Sequence, residues 1–410
     1  MKLEQIDLTD LDFFRDGDRF EAWRVMRAEA PVYWHERKPG AGFWSLAKMH
    51  ECLTILADAH RFSSQLQGNV LNFVLNRDRV GGDTGVGQML NWTDPPRHEK
   101  IRALVNRHFG HPEVAAREPH IRQIVNSIID KVAPRGECDF SVEVAGQLPT
   151  AVICEMMGIA RDDWELLFEL GRVMLGADDL EYRKGRSATE TEDHARAQMF
   201  DYLGRLIARR RQNPGDDLVS ALVTGTIDGA GLSQPELLWN ALLLILGGLE
   251  SLRIAIVGGM HALVENPAEL VRLRVNPALI ESAVEEMLRW TSPATHAMRT
   301  ARSDTEIEGH AVRANQRIVM WFASANRDEA VFADAERFRV DRTPNNHLTF
   351  SHGSHFCIGS GLARLEMRVM FEEIIRRMTE IELAGPIEWL RTNFNCGIKH
   401  MPIRFQSVSA

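Results

Sequence analysis

The residues best suited to chemistry lie in one stretch near the C-terminus, from Phe350 to Gly359. Its cysteine, Cys357, precedes a run in which apolar residues recur at helical spacing: Leu362, Leu365, Val369, Met370 and Ile374. We therefore expect Cys357 at the start of an amphipathic helix. There the helix dipole and unpaired backbone N–H groups favour the thiolate over the thiol, which suits a metal ligand. A lone cysteine before a helix is more often a buried core residue, so the surrounding pattern has to decide.

The pattern that begins at Phe350 reads Phe-x-x-Gly-x-His-x-Cys-x-Gly-x-x-Leu-Ala-Arg. It resembles the haem-binding loop of the cytochrome P-450 family of haem-thiolate monooxygenases. The resemblance implies that Cys357 is the axial ligand of haem b iron, that Phe350 shields the sulfur and that His355 reaches a haem propionate. It also implies that the two glycines of the motif, Gly353 and Gly359, let the backbone pass close to the porphyrin, where a Cβ would collide.

A second motif begins at Asp94-Pro95-Pro96 and predicts a helix to about Phe109, because proline is well tolerated in a first helical turn. His98 and Arg102 lie four residues apart, on one face of this helix. Taken alone, such a pair indicates a solvated basic face. The family resemblance implies instead that both side chains bind the haem propionates, with Arg299 as a third partner.

The segment from Ser233 to Glu265 predicts a long central helix. Ser233 and Glu236 form a capping box, and the apolar run that follows is interrupted at Glu250, so it is too short to cross a bilayer. Burying Glu250 is costly without a partner or a proton. A satisfied core glutamate beside a glycine kink explains the helix alone equally well. We also expect the hydroxyl of Ser251 to bond the carbonyl of Gly247 and widen the turn.

Gly247-Gly248-Leu249-Glu250-Ser251 resembles the oxygen-binding helix of the same family. The resemblance implies that Glu250 and Ser251 are catalytic, with O2 as co-substrate, although Ser251 stands where threonine is usual. Serine keeps the hydroxyl but lacks the methyl group that fixes the rotamer of threonine. We expect oxygen activation to persist with more uncoupling. A proton supply assisted by the substrate, or a reaction other than hydroxylation, remains open.

Glu286 and Arg289 lie three residues apart in a helix predicted from Ile280 to Trp290. An isolated pair of this kind is usually a surface ion pair. Its place before the cysteine matches the family's structural Glu-x-x-Arg pair, which braces the haem loop, and the resemblance adds Arg327 to the same support.

Other residues are candidates for a substrate pocket. The glycine-rich stretch from Ser63 to Met89 is long enough to be functional and carries apolar side chains, which favours a lid facing the substrate over a linker. Two later helices joined by a polar loop near residues 176–193 resemble the family's mobile lid. The pocket candidates are Phe73, Val74, Leu244, Gly247, Gly248, Ala294, His296, Asn395 and Cys396.

Length and composition predict one large domain. The chain has 410 residues, 44% hydrophobic content and no segment that reads as a linker. The fold implied is mainly α with a small β-rich corner at about residues 31–46, 297–322 and 381–405, and haem between the central helix and the cysteine helix. Five cysteines without a C-x-x-C pair argue against disulfides and zinc, so we expect a reducing, cytoplasmic compartment. The charged N-terminal residues argue against a signal peptide or membrane anchor, and a net charge of −9 gives no support for nucleic-acid binding.

The function implied by the resemblance is a monooxygenase that inserts one oxygen atom of O2 into a hydrophobic small molecule, such as a terpenoid, sterol, fatty chain or secondary metabolite. Electrons would come from NAD(P)H through a separate ferredoxin and ferredoxin reductase, since no redox domain is fused to the chain. Lys100, Arg107 and Arg368 either steer an acidic partner or form a plain solvated face. Two alternatives stay open within the family, a substrate bound to a carrier protein and oxidative coupling or ring closure. A haem sensor without turnover is the alternative of another class.

Overall fold

The computed structural model describes residues 1–37, 41–71 and 85–408. Helices make up most of this part of the chain. They are α1 (Leu11–Asp16), α2 (Arg19–Glu29), α3 (Met49–Ala57), α4 (Arg97–Val105), α5 (His111–Ala116), α6 (Glu118–Val132), α7 (Gln147–Met156), α8 (Trp164–Leu175), α9 (Leu180–Arg183), α10 (Ala188–Gln212), α11 (Leu218–Thr224), α12 (Gln234–Glu265), α13 (Pro267–Val275), α14 (Ile280–Thr291), α15 (Phe322–Ala325) and α16 (Ser360–Arg377). Short 3-10 turns occur at Leu3–Gln5, Leu90–Trp92, Asn106–Phe109, Arg161–Asp163, Pro277–Leu279 and Gly353–His355, and a π-helical turn at Phe140–Ala145.

The strands are short and form several small sheets. They are β1 (Val32–His35), β2 (Phe43–Leu46), β3 (Phe62–Ser63), β4 (Glu137–Asp139), β5 (Thr226–Ile227), β6 (Ala230–Gly231), β7 (His296–Ala301), β8 (Thr305–Ile307), β9 (His310–Val312), β10 (Arg317–Trp321), β11 (Met378–Leu383), β12 (Glu388–Trp389), β13 (Ile398–His400) and β14 (Pro402–Ser407). The largest sheet has the order β1-β2-β10-β7-β3, in which β2 and β10 run parallel and the other pairs are antiparallel.

This sheet confirms the predicted β-rich corner in part. It joins residues from 32–46 and 296–321, but residues 381–405 do not belong to it. Instead, β11 and β14 pair with each other, β14 also pairs with β4, and β12 pairs with β13. The strand β4 was not predicted, because three residues are too few for an alternating pattern to be recognised, and so the three-stranded sheet β11-β14-β4 was missed.

The central helix α12 organises the larger core. Ser233 caps its N-terminus: the side chain accepts from the backbone N–H of Glu236, and the Glu236 side chain reaches back, which is the predicted capping box. The helix is buried along most of its length because it is apolar on all sides. Within the described ranges it is the one helix whose length and hydropathy would allow a membrane crossing, yet 67% of its most apolar window is buried inside the fold.

Candidate active site: a cavity between two helices

The cysteine loop ends where α16 begins. Cys357 follows the 3-10 turn Gly353–His355, and its backbone N–H donates to the carbonyl oxygen of Phe350 at 2.9 Å. Gly359 is the N-cap of α16. The structure therefore confirms the predicted position of Cys357, whose exposed side chain lies on the wall of a cavity.

The surroundings of this thiol act on its pKa in both directions. The protein atoms around the thiol, which is exposed only toward the cavity, desolvate it and raise the pKa of Cys357 above its ordinary value, while the backbone hydrogen bond from Gly359 and the charges of Arg102 and Arg364 lower it by less. The helix N-terminus thus acts in the expected direction but does not by itself produce a thiolate. A bound metal ion would supply the missing positive charge.

The two motif glycines serve different purposes. Gly353 has φ +71°, and a Cβ there would stand 2.4 Å from the carbonyl oxygen of Leu56, so this glycine allows the loop to pack on α3. A Cβ at Gly359 would meet nothing within 4 Å. The expectation that both glycines face the porphyrin was therefore wrong for Gly353, while open space lies in front of Gly359.

Four basic side chains from different parts of the chain line the same cavity: His98 and Arg102 from α4, Arg299 from β7, and His355 from the cysteine loop. The rings of His98 and His355 lie 4.1 Å apart between centroids. Arg102 donates to the carbonyl oxygen of Phe356 at 2.7 Å, and Arg299 donates to its own neighbour Met298 at 2.8 Å. The residues predicted from two motifs and one isolated arginine are thus brought together.

These basic groups are held without a carboxylate of their own. Burial, and to a lesser extent the neighbouring cations, lower the pKa of His98 to about 4 and that of His355 to about 2. Burial also lowers the pKa of Arg299 to about 10. Nδ1 of His98 is buried and has no hydrogen-bond partner among the described residues. Such a cluster favours an anionic ligand, which would pair with the two arginines and raise the pKa of the two histidines toward its ordinary value.

Asp94 is the acid near this cluster, but its oxygens are already engaged. They accept hydrogen bonds from the hydroxyl of Ser63, the backbone N–H of Ser64 and the guanidinium of Arg302. The hydroxyl of Ser64 in turn lies 3.3 Å from Nε2 of His355. Sequence reasoning missed Ser64, because it lies 291 residues from His355 and stands in no recognisable motif.

Phe350, at the start of the cysteine loop, packs against Arg364. The guanidinium of Arg364 stands 4.5 Å from the centroid of the Phe350 ring and forms a bidentate pair with Glu285 at 2.7 and 2.9 Å. Burial alone would raise the pKa of Glu285, but Arg364 and His347, whose Nε2 lies 3.2 Å from Oε2 of Glu285, lower it to about 2. Phe350 is buried and lines the cavity, as its expected shielding position requires.

On the opposite wall, α12 presents Gly247, Gly248 and Ser251 to the cavity. A Cβ at Gly247 would meet nothing within 4 Å, so its absence adds open space. At Gly248 a Cβ would lie 2.7 Å from Ile153, so that glycine lets α7 pack closely. The expected bond from Ser251 to Gly247 was wrong: α12 is an unbroken α-helix here, and the Ser251 hydroxyl has no bond to the described residues.

Glu250 points away from the cavity, which it does not line. It is 3% exposed and forms a bidentate pair with Arg253, whose Nε lies 2.9 Å from Oε2 of Glu250. Arg253 also donates to Ser141 at 2.5 Å and to the carbonyl oxygen of Ile398 at 2.8 Å. The buried carboxylate therefore has the partner that the sequence required, three residues further along the same helix.

The remaining pocket candidates divide into three groups. Leu244, Ala294, His296 and Asn395 line the cavity. Cys396 does not: its side chain packs in a separate apolar cluster and its Sγ donates to the carbonyl oxygen of Thr392 at 3.0 Å, because the turn directs Asn395 inward and Cys396 outward. Phe73 and Val74, like most of the predicted lid, lie outside the described residues.

His296 is a fixed wall residue. Its Nδ1 lies 3.2 Å from the carbonyl oxygen of Asn393, and its Nε2 accepts from the backbone N–H of Leu71 at 3.1 Å. Burial lowers the pKa of His296 to about 3, so the ring is neutral. Other wall residues were missed because helical periodicity cannot tell a cavity wall from a core: Met89, Leu90, Trp92, Val152, Ile153, Met174, Leu175, Trp239, Leu243 and Leu246.

The predicted pair Glu286 and Arg289 is completely buried, with a bidentate contact at 2.7 and 2.8 Å. Arg342 completes the group at 2.9 Å from Oε2 of Glu286, and Arg289 also donates to the carbonyl oxygens of Asn326 and Ala335. Arg327, expected in the same support, is also buried and donates to the carbonyl oxygen of Trp290, although no ion pair joins it to Glu286 among the described residues. It also stacks on Trp290 and Phe20.

The cations expected to steer a partner are all paired within the chain. Lys100 lies 2.6 Å from Asp228, Arg107 lies 3.1 Å from Asp216, and Arg368 lies 2.5 Å from Glu118. Their charges are thus offset locally.

A cavity of about 500 Å³ therefore has a cysteine on one wall, four basic groups at its edge and an apolar lining. The open space before Gly359 and the unpartnered Nδ1 of His98 fit a flat apolar cofactor that carries carboxylates. Haem b is such a group, since its iron takes a thiolate ligand and its propionates need cationic partners. The fold and site define a haem-thiolate protein.

Comparison with known proteins agrees with this class. Residues 274–382 match the family model described as cytochrome P450. The chain is 40% identical to the putative cytochrome P450 126 of Mycobacterium tuberculosis, over 98% of each chain. It is 34% identical to the steroid C26-monooxygenase of Mycolicibacterium smegmatis, covering 98% of this chain and 96% of that one. A solved Mycobacterium marinum cytochrome P450 in complex with pseudoionone superposes with a TM-score of 0.90 at 30% identity, over 99% of both chains.

The chain belongs to the cytochrome P450 family. It is a haem-dependent monooxygenase that uses O2 and takes electrons from NAD(P)H through redox partners.

Proposed function

We propose that this cytochrome P450 hydroxylates an apolar small molecule such as a terpenoid, a sterol, a fatty chain or an apolar secondary metabolite. The observation that carries the proposal is the lining of the cavity beside Cys357, where the α7, α8 and α12 walls consist of aliphatic and aromatic side chains. Transfer of a matching apolar surface from water would supply most of the binding free energy. The names of two similar proteins, which concern a steroid and pseudoionone, support the same class.

In this proposal Cys357 is the axial ligand of the haem iron, and the backbone N–H of Gly359 donates to its sulfur. Phe350 keeps water from the sulfur. Arg102, Arg299, His98 and His355 hold the propionates, which restore the charge that burial now disfavours. The open space before Gly359 receives the ring edge.

When bound, the haem supplies the activation of O2 and the insertion of one oxygen atom into the substrate. The residues of this chain provide position and protons. We infer that the Ser251 hydroxyl, which faces the cavity and has no bond to the described residues, donates a hydrogen bond to the reacting oxygen. Glu250 lies on the side of α12 that faces away from the cavity and returns a proton to the Ser251 hydroxyl. Its pair with Arg253 sets the position of the carboxylate.

Electrons in this proposal come from a separate ferredoxin and its reductase in the cytoplasm. The cysteine side of the molecule is the short route to the iron, because Cys357 and Phe356 lie at the start of α16 and Phe356 is 41% exposed. Since Lys100, Arg107 and Arg368 are paired, a docking ferredoxin gains more from apolar contact than from these charges.

The first experiment is the absorption spectrum of the dithionite-reduced protein under carbon monoxide, for the wild type and for Cys357→Ser. We expect a strongly red-shifted Soret band in the wild type that disappears in the variant. A band typical of imidazole ligation in the wild type would reject Cys357 as the ligand. Terpenoids, steroids and fatty acids can then be screened for a shift of the ferric Soret band, and positive compounds assayed for a product heavier by one oxygen atom. Failure of every apolar class would reject the substrate proposal.

A substrate bound to a carrier protein is a second candidate. Leu180, at the start of α9, is 68% exposed and is followed closely by the exposed Lys184 and Arg186, and the adjoining Ala177 and Asp178 line the cavity. A carrier would find an exposed apolar side chain with mixed charges beside it, since the exposed Glu181 follows Leu180 directly. The test compares a carrier-bound thioester with the free acid. Leu180→Glu should weaken binding of the carrier-bound form alone if this candidate is right.

A further inference from the structure

Glu366 is a buried acid for which the reaction described above has no use. It lies on α16, six residues after Ser360 and about 9 Å along the helix axis. Together with Leu362 and Ala363 it faces the cavity that contains Cys357. The side chain is 3% exposed, and its Oε2 is buried without a hydrogen-bond partner among the described residues. An acid in this position is costly for the fold when it is ionised.

The surroundings of Glu366 are almost free of charge. Across the cavity, α12 presents Leu252 and Ala255. Arg117, between α5 and α6, is the charged group that acts on the carboxyl, and its own Nε is also buried without a described partner. Other titratable groups on the cavity wall are Cys357, His98, His355, His296, Arg102, Arg299, Asp178 and Glu192, and none of these appears among the groups that act on the Glu366 carboxyl. The acidic and basic side chains further along α16 are paired with one another or with α6.

Because of these surroundings, the pKa of the Glu366 carboxyl responds to charge within the cavity. Burial raises the pKa of Glu366 to about 8, and Arg117 only partly offsets this effect. A negative charge added nearby in a medium of low dielectric constant raises the proton affinity further. Arg117, which acts on the carboxyl, is itself partly exposed to solvent.

We propose that Glu366 is a redox-linked proton site: in alkaline solution, where it begins as a carboxylate, it takes up one proton when a haem bound in this cavity gains one electron. In the step, a ferric haem and a Glu366 carboxylate receive one electron from a reduced one-electron donor and one proton from solvent, and become a ferrous haem and a Glu366 carboxylic acid. No other bond is made or broken. The inference rests on the proposed haem site at Cys357, and it adds a partner for the incoming charge that the propionate residues do not provide.

The test is the midpoint potential of the haem-loaded protein, measured by spectroelectrochemistry from about pH 6 to about pH 10. Below about pH 8 the carboxyl is protonated in both redox states, so the potential stays flat. Above that pH it should fall by up to about 59 mV per pH unit, because a tenfold change in proton concentration then accompanies each electron. Glu366→Gln should show no such slope. Glu372→Gln is the matched control on the same helix, where the carboxylate is already paired with Arg122 and Arg368, and it should behave as the wild type.

Two further measurements do not depend on the glutamine variant. Arg117→Gln should move the onset of the slope to higher pH, since Arg117 lowers the pKa of Glu366. In the wild type above pH 8, reduction should produce an infrared band of a protonated carboxylic acid. A flat wild-type potential over the whole range, or a slope that persists in Glu366→Gln, would overturn the proposal. A normal carbon monoxide spectrum in that variant would show that the Cys357 site is intact, so failure of this inference is separate from failure of the haem assignment.

Discussion

Two groups of buried charges near the cysteine loop differ in the hydrogen-bond and ion-pair partners that they have within the protein. On one side, Glu286 has three cationic or amide partners in Arg289, Arg342 and Asn345, and every contact is within the chain. On the other side, His98, Arg299 and Glu366 are equally buried but have few partners or none. We call the first group the brace and the second the cradle.

The difference teaches how to separate structural from ligand-binding charges. Both groups contain charges whose burial costs several kcal/mol each unless they are compensated. The brace recovers that cost within the fold and therefore shapes the loop before any cofactor binds. The cradle leaves the cost unrecovered, which is reasonable only if a ligand compensates for it. Whether a buried charge has partners within the protein therefore says more about its role than the extent of its burial.

Removal of one member of the brace should have the largest effect. Glu286→Ala leaves Arg289 and Arg342 buried without their carboxylate, so we expect the free energy of unfolding to fall by about 3–5 kcal/mol. Chemical denaturation of the haem-free protein measures it. Glu281→Ala, at an exposed position of the same helix, is the control and should change little. A loss below about 1 kcal/mol in Glu286→Ala would remove the distinction between brace and cradle.

The cradle should make the stability of the haem-free protein depend on pH. The pKa of His98 is lowered to about 4 in the folded protein, whereas the unfolded chain has the ordinary value of 6.5. Between these values the unfolded state binds more protons, so the stability of the haem-free protein should rise with pH by up to about 3 kcal/mol. The slope should be smaller in His98→Gln. It should also shrink when haem binds, because the propionates favour the protonated ring. An equal slope in wild type and variant would contradict this assignment.

Substitution of Arg299 tests the same contrast, because the stability of the haem-free protein should stay equal or rise while the affinity for haem falls. Arg299→Met removes a buried charge whose described hydrogen bond goes to its own neighbour, so the haem-free protein should be as stable or more stable. Haem affinity should fall about tenfold to a hundredfold, as one or two charge-assisted hydrogen bonds are lost. Unfolding and haem-transfer measurements test both parts. Equal destabilisation with and without haem would place Arg299 in the brace.

The smallest effect is expected at Ser251, on the open wall. Ser251→Thr adds a methyl group that restricts the hydroxyl, so we expect product formed per NAD(P)H consumed to rise by about twofold to threefold. Ser251→Ala should lower this ratio. Both are compared at equal haem content with a substrate found by the spectral screen. If Ser251→Ala leaves the ratio unchanged, the proton comes from elsewhere, as a substrate-assisted reaction would require.

The sequence was sufficient for those parts of the site that lie in short motifs. Cys357, His98 and Arg102 were singled out by the resemblance of their local motifs to a known family, since spacing alone indicated a core cysteine and a solvated basic face, and α12 was predicted because its cap and apolar run are local. Its capping box at Ser233 and Glu236 is present as predicted. The prediction of one domain over residues 1–410 stays a prediction.

The missed and wrong residues share a physical reason, since their surroundings come from distant segments. Arg342 reaches Glu286 across 56 residues, and Ser64 reaches His355 across 291. Gly353 is fixed by a carbonyl of α3 rather than by the cavity. Cys396 and Asn395 are neighbours in sequence, and only the course of the turn decides which of them faces inward. Glu366 repeats the helical spacing of Leu362, but periodicity cannot show that a position is both buried and uncharged in its surroundings.

The local pairing of Lys100, Arg107 and Arg368 also affects how the enzyme receives electrons in the cell. A surface whose charges cancel over a few ångströms exerts little attraction beyond the Debye length, so a donor must find it by unguided diffusion. If a ferredoxin docks at this face, as proposed above, we expect the rate of electron transfer to change little with salt concentration.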